Sequence, residues 1–241
     1  MAQKTPEIKT PTPVKTSVER ISTGIPGLDE LMEGGFVKGS AVLVTGGTGT
    51  GKTTFCAQFI LEGLKKGEPG VYITLEEDPE DIKGDLRRFG FKFERFEKNN
   101  TFRMAYQNPF EISDISSTVV DTINSIKAKR IVIDPISLIG MYMKDPAALR
   151  KRLFEIIRVL KKTNTTALIT SEVEEDEKGL SRFGVAEFIA DGVIVLHFLG
   201  IGGGVSTRSL LVRKLRRTKH GTDVYPLEIT SKGIIVKKPI T

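Results

Sequence analysis

The chain has 241 residues, a net charge of +6, one cysteine and no tryptophan. Its 39% hydrophobic and 27% charged residues fit a soluble globular protein with a substantial core. A lone Cys56 excludes an internal disulfide and a Cys-based metal site. No apolar run approaches the ~18 residues of a membrane-spanning helix, and residues 1–17 hold no apolar segment of secretory-signal length, so a cytoplasmic location is expected. The charge is uneven: Arg208–Thr241 carries nine Lys/Arg against two Asp/Glu, while residues 18–207 sum to −3. Basic character of this kind attracts polyanions of many sorts.

Residues 1–17 are rich in Pro, Thr and Lys and read as a mobile tail, leaving one domain over 18–241. GIPGLDELMEGGFVKGS reads as a turn, a short helix and a Gly-rich approach to a strand. AVLVT (41–45) is a continuous apolar run, as a strand covered on both faces requires. In KTTFCAQFILEGLKK, Phe55, Phe59 and Leu64 recur at helical spacing, which makes Cys56 a small buried side chain. VYITL (71–75) is the next strand. Asp78 caps the following helix and Pro79 suits its first turn. TFRMAY (101–106) reads as a strand, and 113–129 as a helix capped by Ser113. RIVID (130–134) is a strand, 145–162 a helix capped by Asp145, and TALIT (166–170) a strand. The polar stretch 171–184 reads as a solvated loop. VIVLHFL (193–199), TRSLLVRKLR (207–216), YPLEIT and IIVKK then follow as strands joined by turns, IGGGVS being the first of them. The alternation predicts an α/β fold with a mainly parallel sheet flanked by helices and a C-terminal antiparallel extension.

GGTGTGKT (46–53) fits G-x-x-x-x-G-K-[ST] in full, after a predicted strand and at the start of a predicted helix, the context this motif needs. Glycines let the loop turn its N–H groups inward, and those donors with the helix N-terminus bind a polyphosphate. The candidate cradle is Gly47, Thr48, Gly49, Thr50, Gly51, Lys52, Thr53 and Thr54. Lys52 reaches the β- and γ-phosphates and Thr53 ligates Mg2+. Asp134, ending an apolar strand, fits the second Mg2+-associated acid of P-loop proteins. Glu76 and Glu77 follow a strand end, where a carboxylate orients or deprotonates water; the alternative is that Glu77 and Asp78 cap the next helix.

RISTGIPGLDELMEGGFVKGSAVLVTGGTGTGKTTF resembles the opening and P-loop of KaiC-like proteins of the RecA/RadA superfamily. YITLEEDPEDI resembles their paired-glutamate segment, and RFGVAEFIADGVIVL and LVRKLRRTKHGTDVYPLEITSKGI their last third. The likeness covers about 18–236, one KaiC-type domain of archaeal, single-domain kind. It implies a RecA-like P-loop NTPase core, ATP and Mg2+ as ligands, and Glu76 as water-activating base with Glu77 in support. It also implies a ring, commonly a hexamer, with ATP between neighbouring subunits. By motif match, Lys214 and Arg216 approach the neighbour's γ-phosphate, Thr218 and His220 its base or sugar, with Leu215 and Thr230 in the same set. On a strand, 214 and 216 share one face while Leu215 points the other way. Two departures stand out. Glu187-Phe188 occupies the place of the phosphate-accepting Ser-Thr pair, which implies an ATPase and not an autokinase. ITS (Ile229–Ser231) replaces the family's ITD near the adenine.

The leading expectation is therefore an ATP-hydrolysing oligomeric switch. A second is a RadA-paralogue-type protein that binds single-stranded DNA and uses ATP as a conformational ligand. The basic C-terminal segment favours it; the lack of Trp, the four Tyr and core-like Phe patterns disfavour base stacking. A third is an accessory ATPase of the archaeal motility type, where binding matters more than turnover.

Overall fold

A computed structural model describes residues 18–110, 115–141, 143, 145–173, 179–198 and 208–238. The expected tail over 1–17, the Ser113 cap and the turn at 201–206 lie outside these residues. Strands β1 (Arg20–Ile21) and β2 (Phe36–Val37) form a small antiparallel ribbon around a 3-10 turn at Asp29–Met32. The main succession is β3 (Ala41–Gly46), α1 (Lys52–Lys65), β4 (Gly70–Thr74), α2 (Pro79–Arg87), α3 (Glu94–Lys98), β5 (Phe102–Tyr106), α4 (Ile115–Ile126) and β6 (Arg130–Asp134). It continues with α5 (Ser137–Met141), α6 (Pro146–Lys162), β7 (Thr166–Glu172), α7 (Ala186–Ile189), β8 (Gly192–Phe198), β9 (Arg208–Leu215), β10 (Val224–Thr230) and β11 (Gly233–Val236).

One nine-stranded sheet runs β11-β10-β9-β8-β3-β7-β6-β4-β5. The six strands from β8 to β5 are parallel and β9, β10 and β11 pair antiparallel, as the sequence predicts. The strands β3, β4 and β6 are buried along their whole length, because helices cover both faces of a parallel sheet. On one face Phe55, Phe59 and Ile60 of α1 and Ile82 and Leu86 of α2 share a core. On the other, Val119 and Ile123 of α4 pack with Leu149, Leu153 and Ile156 of α6. Asp78 and Asp145 cap α2 and α6 as expected, each accepting the N–H two residues on.

Registry decides where chemistry can occur. Gly46 pairs with Glu172 and Thr74 with Asp134, so the C-terminal ends of β3, β4, β6 and β7 form one edge. In open α/β sheets, ligands bind outside that edge. Strand β9 runs the other way: Arg208 lies beside Phe198 at this edge and Leu215 beside Gly192 at the far one. The two ends of β9 are roughly 24 Å apart at the usual rise of an antiparallel strand.

Phe36, Phe55, Phe59, Phe91, Phe93, Phe96 and Phe102 are buried, as their patterns imply, while Phe110, Phe154, Phe183, Phe188 and Phe198 are exposed. Arg130, at the start of β6, is fully buried. Its Nε donates to Glu68 at 2.7 Å, and its Nη1 donates to Ser22 O and Phe59 O at 2.9 and 2.8 Å. Gly63 of α1 leaves the room it needs, since a Cβ there would overlap Arg130 Cδ and Nε. Gly63→Ala is expected to destabilise the fold by about 2 kcal/mol through overpacking, or roughly 4–8 °C in Tm for a chain of this size. Thermal unfolding followed by circular dichroism measures it, and an unchanged Tm contradicts this packing.

Candidate nucleotide site

The loop after β3 is shaped by glycine. Gly49 and Gly51 have φ of 72° and 101°, a left-handed region that glycine enters without a Cβ penalty. Thr50 is buried and its Oγ1 donates to Gly47 O at 2.9 Å, which pins the turn. Helix α1 starts at Lys52 with no side-chain cap, so its first N–H groups face the loop without intrahelical partners, the arrangement that binds phosphate. Lys52 Nζ donates to Gly46 O and Gly47 O at 3.0 and 2.9 Å. Thr48, Gly49, Gly51, Thr53 and Thr54 line the same cleft of about 340 Å³.

Asp134 is 7% exposed. Its Oδ2 accepts from Thr53 Oγ1 at 3.0 Å and from the Tyr72 hydroxyl, and its Oδ1 accepts from Thr170 Oγ1. Burial and the Asp134 charge push the Tyr72 phenol well up, so it stays a donor. Glu76 and Glu77 are held by Thr74, whose Oγ1 accepts their N–H groups at 3.3 and 3.1 Å and donates to Glu77 O at 2.9 Å. The cap of α2 is Asp78. Glu77 is left to the cleft, which resolves the capping alternative.

Sequence reasoning missed Glu172. It ends β7, which runs two residues past the predicted TALIT and takes Ser171 and Glu172 out of the expected loop. Residues 174–178 of that loop lie outside the described residues. The signal was the one used for Asp134, an acid closing an apolar strand. Among the described lining residues, Lys52 stands alone as a cation against Glu76, Glu77, Asp134 and Glu172. Burial raises the Glu76 carboxyl, with help from Glu172 and Asp134. Burial, Asp134 and Glu76 raise Glu77. Burial lowers the Lys52 ammonium against the pull of Glu172 and Asp134. Cys56 is buried as expected, and burial pushes its thiol up.

The residues of KLRRTKHG lie elsewhere. Lys214 Nζ donates to Glu187 O and Ala190 O at 3.0 and 2.7 Å. Arg216 lies just past the end of β9 and donates to Asp191 Oδ1 at 3.3 Å. Burial lowers the Lys214 ammonium, reinforced by Arg216. Burial raises the Asp191 carboxyl, but hydrogen bonds from Lys161 and the Ala41 N–H, and the nearby cations, outweigh it and hold it down. Thr218 Oγ1 accepts from Arg20 at 2.9 Å, and His220 Nδ1 sits 2.9 Å from Gly221 O. This group occupies the far end of β9, across the sheet from the chain's own phosphate loop. Two members of the expected set differ. Leu215 is 5% exposed and packs within the chain's own core. Thr230 ends β10 beyond the Arg208 end of β9, next to Ile229, which lines the chain's own cleft. It belongs to the phosphate-loop edge and not with Lys214.

Comparison with known proteins matches residues 21–240 to the family described as "ATPase: KaiC". A UPF0273 protein of Methanopyrus kandleri is 36% identical over 91% of this chain and 92% of its own length. One from Thermotoga maritima is 38% identical over 91% and 96%. The circadian clock protein KaiC3 of Synechocystis is 31% identical over 93% of this chain, which spans 46% of KaiC3. The crystal structure of the KaiC-like protein PH0186 from Pyrococcus horikoshii superposes with a TM-score of 0.84 at 41% identity, covering 92% of this chain and all of that one.

Proposed function

The chain belongs to the KaiC-like ATPase family, with a RecA-like fold, and from that premise we propose that it binds ATP with Mg2+ and hydrolyses it between neighbouring copies in a ring, as an oligomeric switch. The observation that carries this is the charge of the cleft. One lysine lines the cleft with four carboxylates; at its margin Arg182 lies 4.0 Å from Glu172 and Arg208 donates to Gly49 O at 3.0 Å, so the chain's own cations offset the acids only in part. Further cations from a neighbour would complete the balance.

Thr53 and Asp134 suit Mg2+. They are hard oxygen donors 3.0 Å apart. An ion there would be held through one or two protein oxygens plus phosphates. When bound, it would neutralise charge on the β- and γ-phosphates. Lys214 and Arg216 would supply the remaining cations in trans, because at the far edge of the sheet they cannot serve their own loop. Fixed cations at a γ-phosphate stabilise the charge of phosphoryl transfer.

Glu76 takes a proton from water as the water oxygen bonds to the γ-phosphorus and the bond to the bridging oxygen breaks, giving ADP and phosphate. A raised carboxyl suits a base working near neutrality. Thr74 fixes its backbone, and Glu77 supports the charge. Glu187 and Phe188 carry no phosphorylatable hydroxyl, so phosphate goes to water.

Turnover per chain should rise with protein concentration and then level off, and Glu76→Gln should lower it on the order of 100-fold or more. Turnover independent of concentration across the assembly range contradicts the shared site; strict dependence on added single-stranded DNA favours the DNA reading. The pH profile is a separate check. Glu76 must be ionised to act and its carboxyl is raised, so the rate should climb with pH along a limb above the ordinary glutamate range. Glu172→Gln removes the strongest of the charges that raise Glu76 and should move the limb to lower pH; an unmoved limb contradicts that coupling.

A further inference from the structure

A groove of about 880 Å³ lies away from the nucleotide cleft, between α6 and α7. Helix α6 carries six Lys/Arg and one Glu. Its outward stripe includes Arg150, Lys151, Phe154 and Arg158, and across the groove stand Phe188 and Arg216. Phe154 is 51% exposed and Phe188 64%. Among the described residues Arg150, Lys151 and Arg158 have no ion-pair partner. Exposed aromatics flanked by unpaired cations mark a surface that meets an anionic partner.

The same chain holds the opposite charge elsewhere. Residues 76–81 read EEDPED, five acids in six positions, and all five acids are exposed. They form the rim of the nucleotide cleft and the start of α2. Asp78 and Asp81 have no ion-pair partner among the described residues, and Glu80 pairs with Lys83. The rim belongs to the α1–α2 face of the sheet and the groove to the α4–α6 face, as the two cores show. One chain cannot bring them together. Two copies can, head to tail, and such a contact repeats into a ring or filament.

We propose that the α6–α7 groove docks the EEDPED rim of the next copy. This rests on the shared-site reading above and names the surfaces that make it. Arg216 belongs to both the groove and the trans set, so the docking that seats the rim also carries Arg216 toward the neighbour's cleft. Phe154 and Phe188 supply the apolar part of the contact. The acids around the bound phosphates are thereby partly neutralised by the incoming helix.

Charge reversal tests it with residues outside the catalytic set. Groove variant Lys151→Glu/Arg158→Glu and rim variant Glu80→Lys/Asp81→Lys should each weaken self-association on the order of 100-fold, the cost of juxtaposing like charges. Sedimentation velocity with Mg2+ and a slowly hydrolysed ATP analogue reads this, and circular dichroism checks that each variant is folded. An equimolar mixture of the two variants should assemble, because every groove then meets a rim of opposite sign, and a chain carrying all four substitutions should assemble alone. Folded variants that assemble like wild type, or a four-fold variant and mixture that both stay monomeric, overturn the docking while leaving the shared site standing. Loss of oligonucleotide binding in the groove variant with unchanged assembly gives the groove to nucleic acid and also overturns it. A wild-type chain that stays monomeric overturns the ring and the docking together.

Discussion

The Asp134 carboxylate governs the rest of the site. It is nearly buried at the end of β6, where an ionised group is tolerated only if its oxygens find donors. The donors come from three other elements: Tyr72 on β4, Thr170 on β7 and Thr53 at the start of α1. One side chain thus ties the phosphate-loop helix to three strands. Hydrogen bonds to an ionised acceptor are among the stronger ones in proteins, and a buried network keeps its geometry only when every member is satisfied. The phosphate loop, the glutamate pair and Glu172 inherit their positions from this arrangement.

The parallel sheet creates a second constraint. Its strand ends gather carboxylates on one edge, and the antiparallel return of β9 sends Lys214 and Arg216 to the other. The chain thus places Lys214 and Arg216 away from the acids of the site, while Arg208 stands at the same edge as those acids. In the proposed ring, chemistry and assembly are the same event, since the charge at the triphosphate is balanced only when a neighbour is seated. That is how such a protein can act as a switch: nucleotide favours contact, and hydrolysis removes part of the charge that holds it.

Much of this was legible in the residues. RIVID matches β6 residue for residue, because a strand buried on both faces leaves an unbroken apolar run. The phosphate loop, Asp134 and the glutamate pair, read from motif and position, line one cleft. Short elements were not legible. Helices α3 and α5 are five residues each, little more than one turn, too short for a periodic pattern. Glu172 was hidden by the acidic run behind it, and Arg130 by its chemistry, since only its partners Glu68, Ser22 and Phe59 explain a buried guanidinium. Thr230 was grouped with Lys214 by the family resemblance, while the β9–β10 turn carries the chain back to the opposite edge. Pairing of strands, which a linear reading does not contain, decides that point.

The most direct test of the shared site is hydrolysis by mixed assemblies. Glu76→Gln chains keep the trans cations and lack the base; Arg216→Ala chains keep the base and lack a trans cation. Each alone should be nearly inactive. Mixed in equal amounts with ATP and Mg2+, they should regain activity at roughly a quarter of the sites, where an Arg216→Ala cleft adjoins a Glu76→Gln neighbour in a head-to-tail ring. Mixtures that form assemblies of wild-type size yet hydrolyse no faster than the separate variants would contradict a site built from two chains.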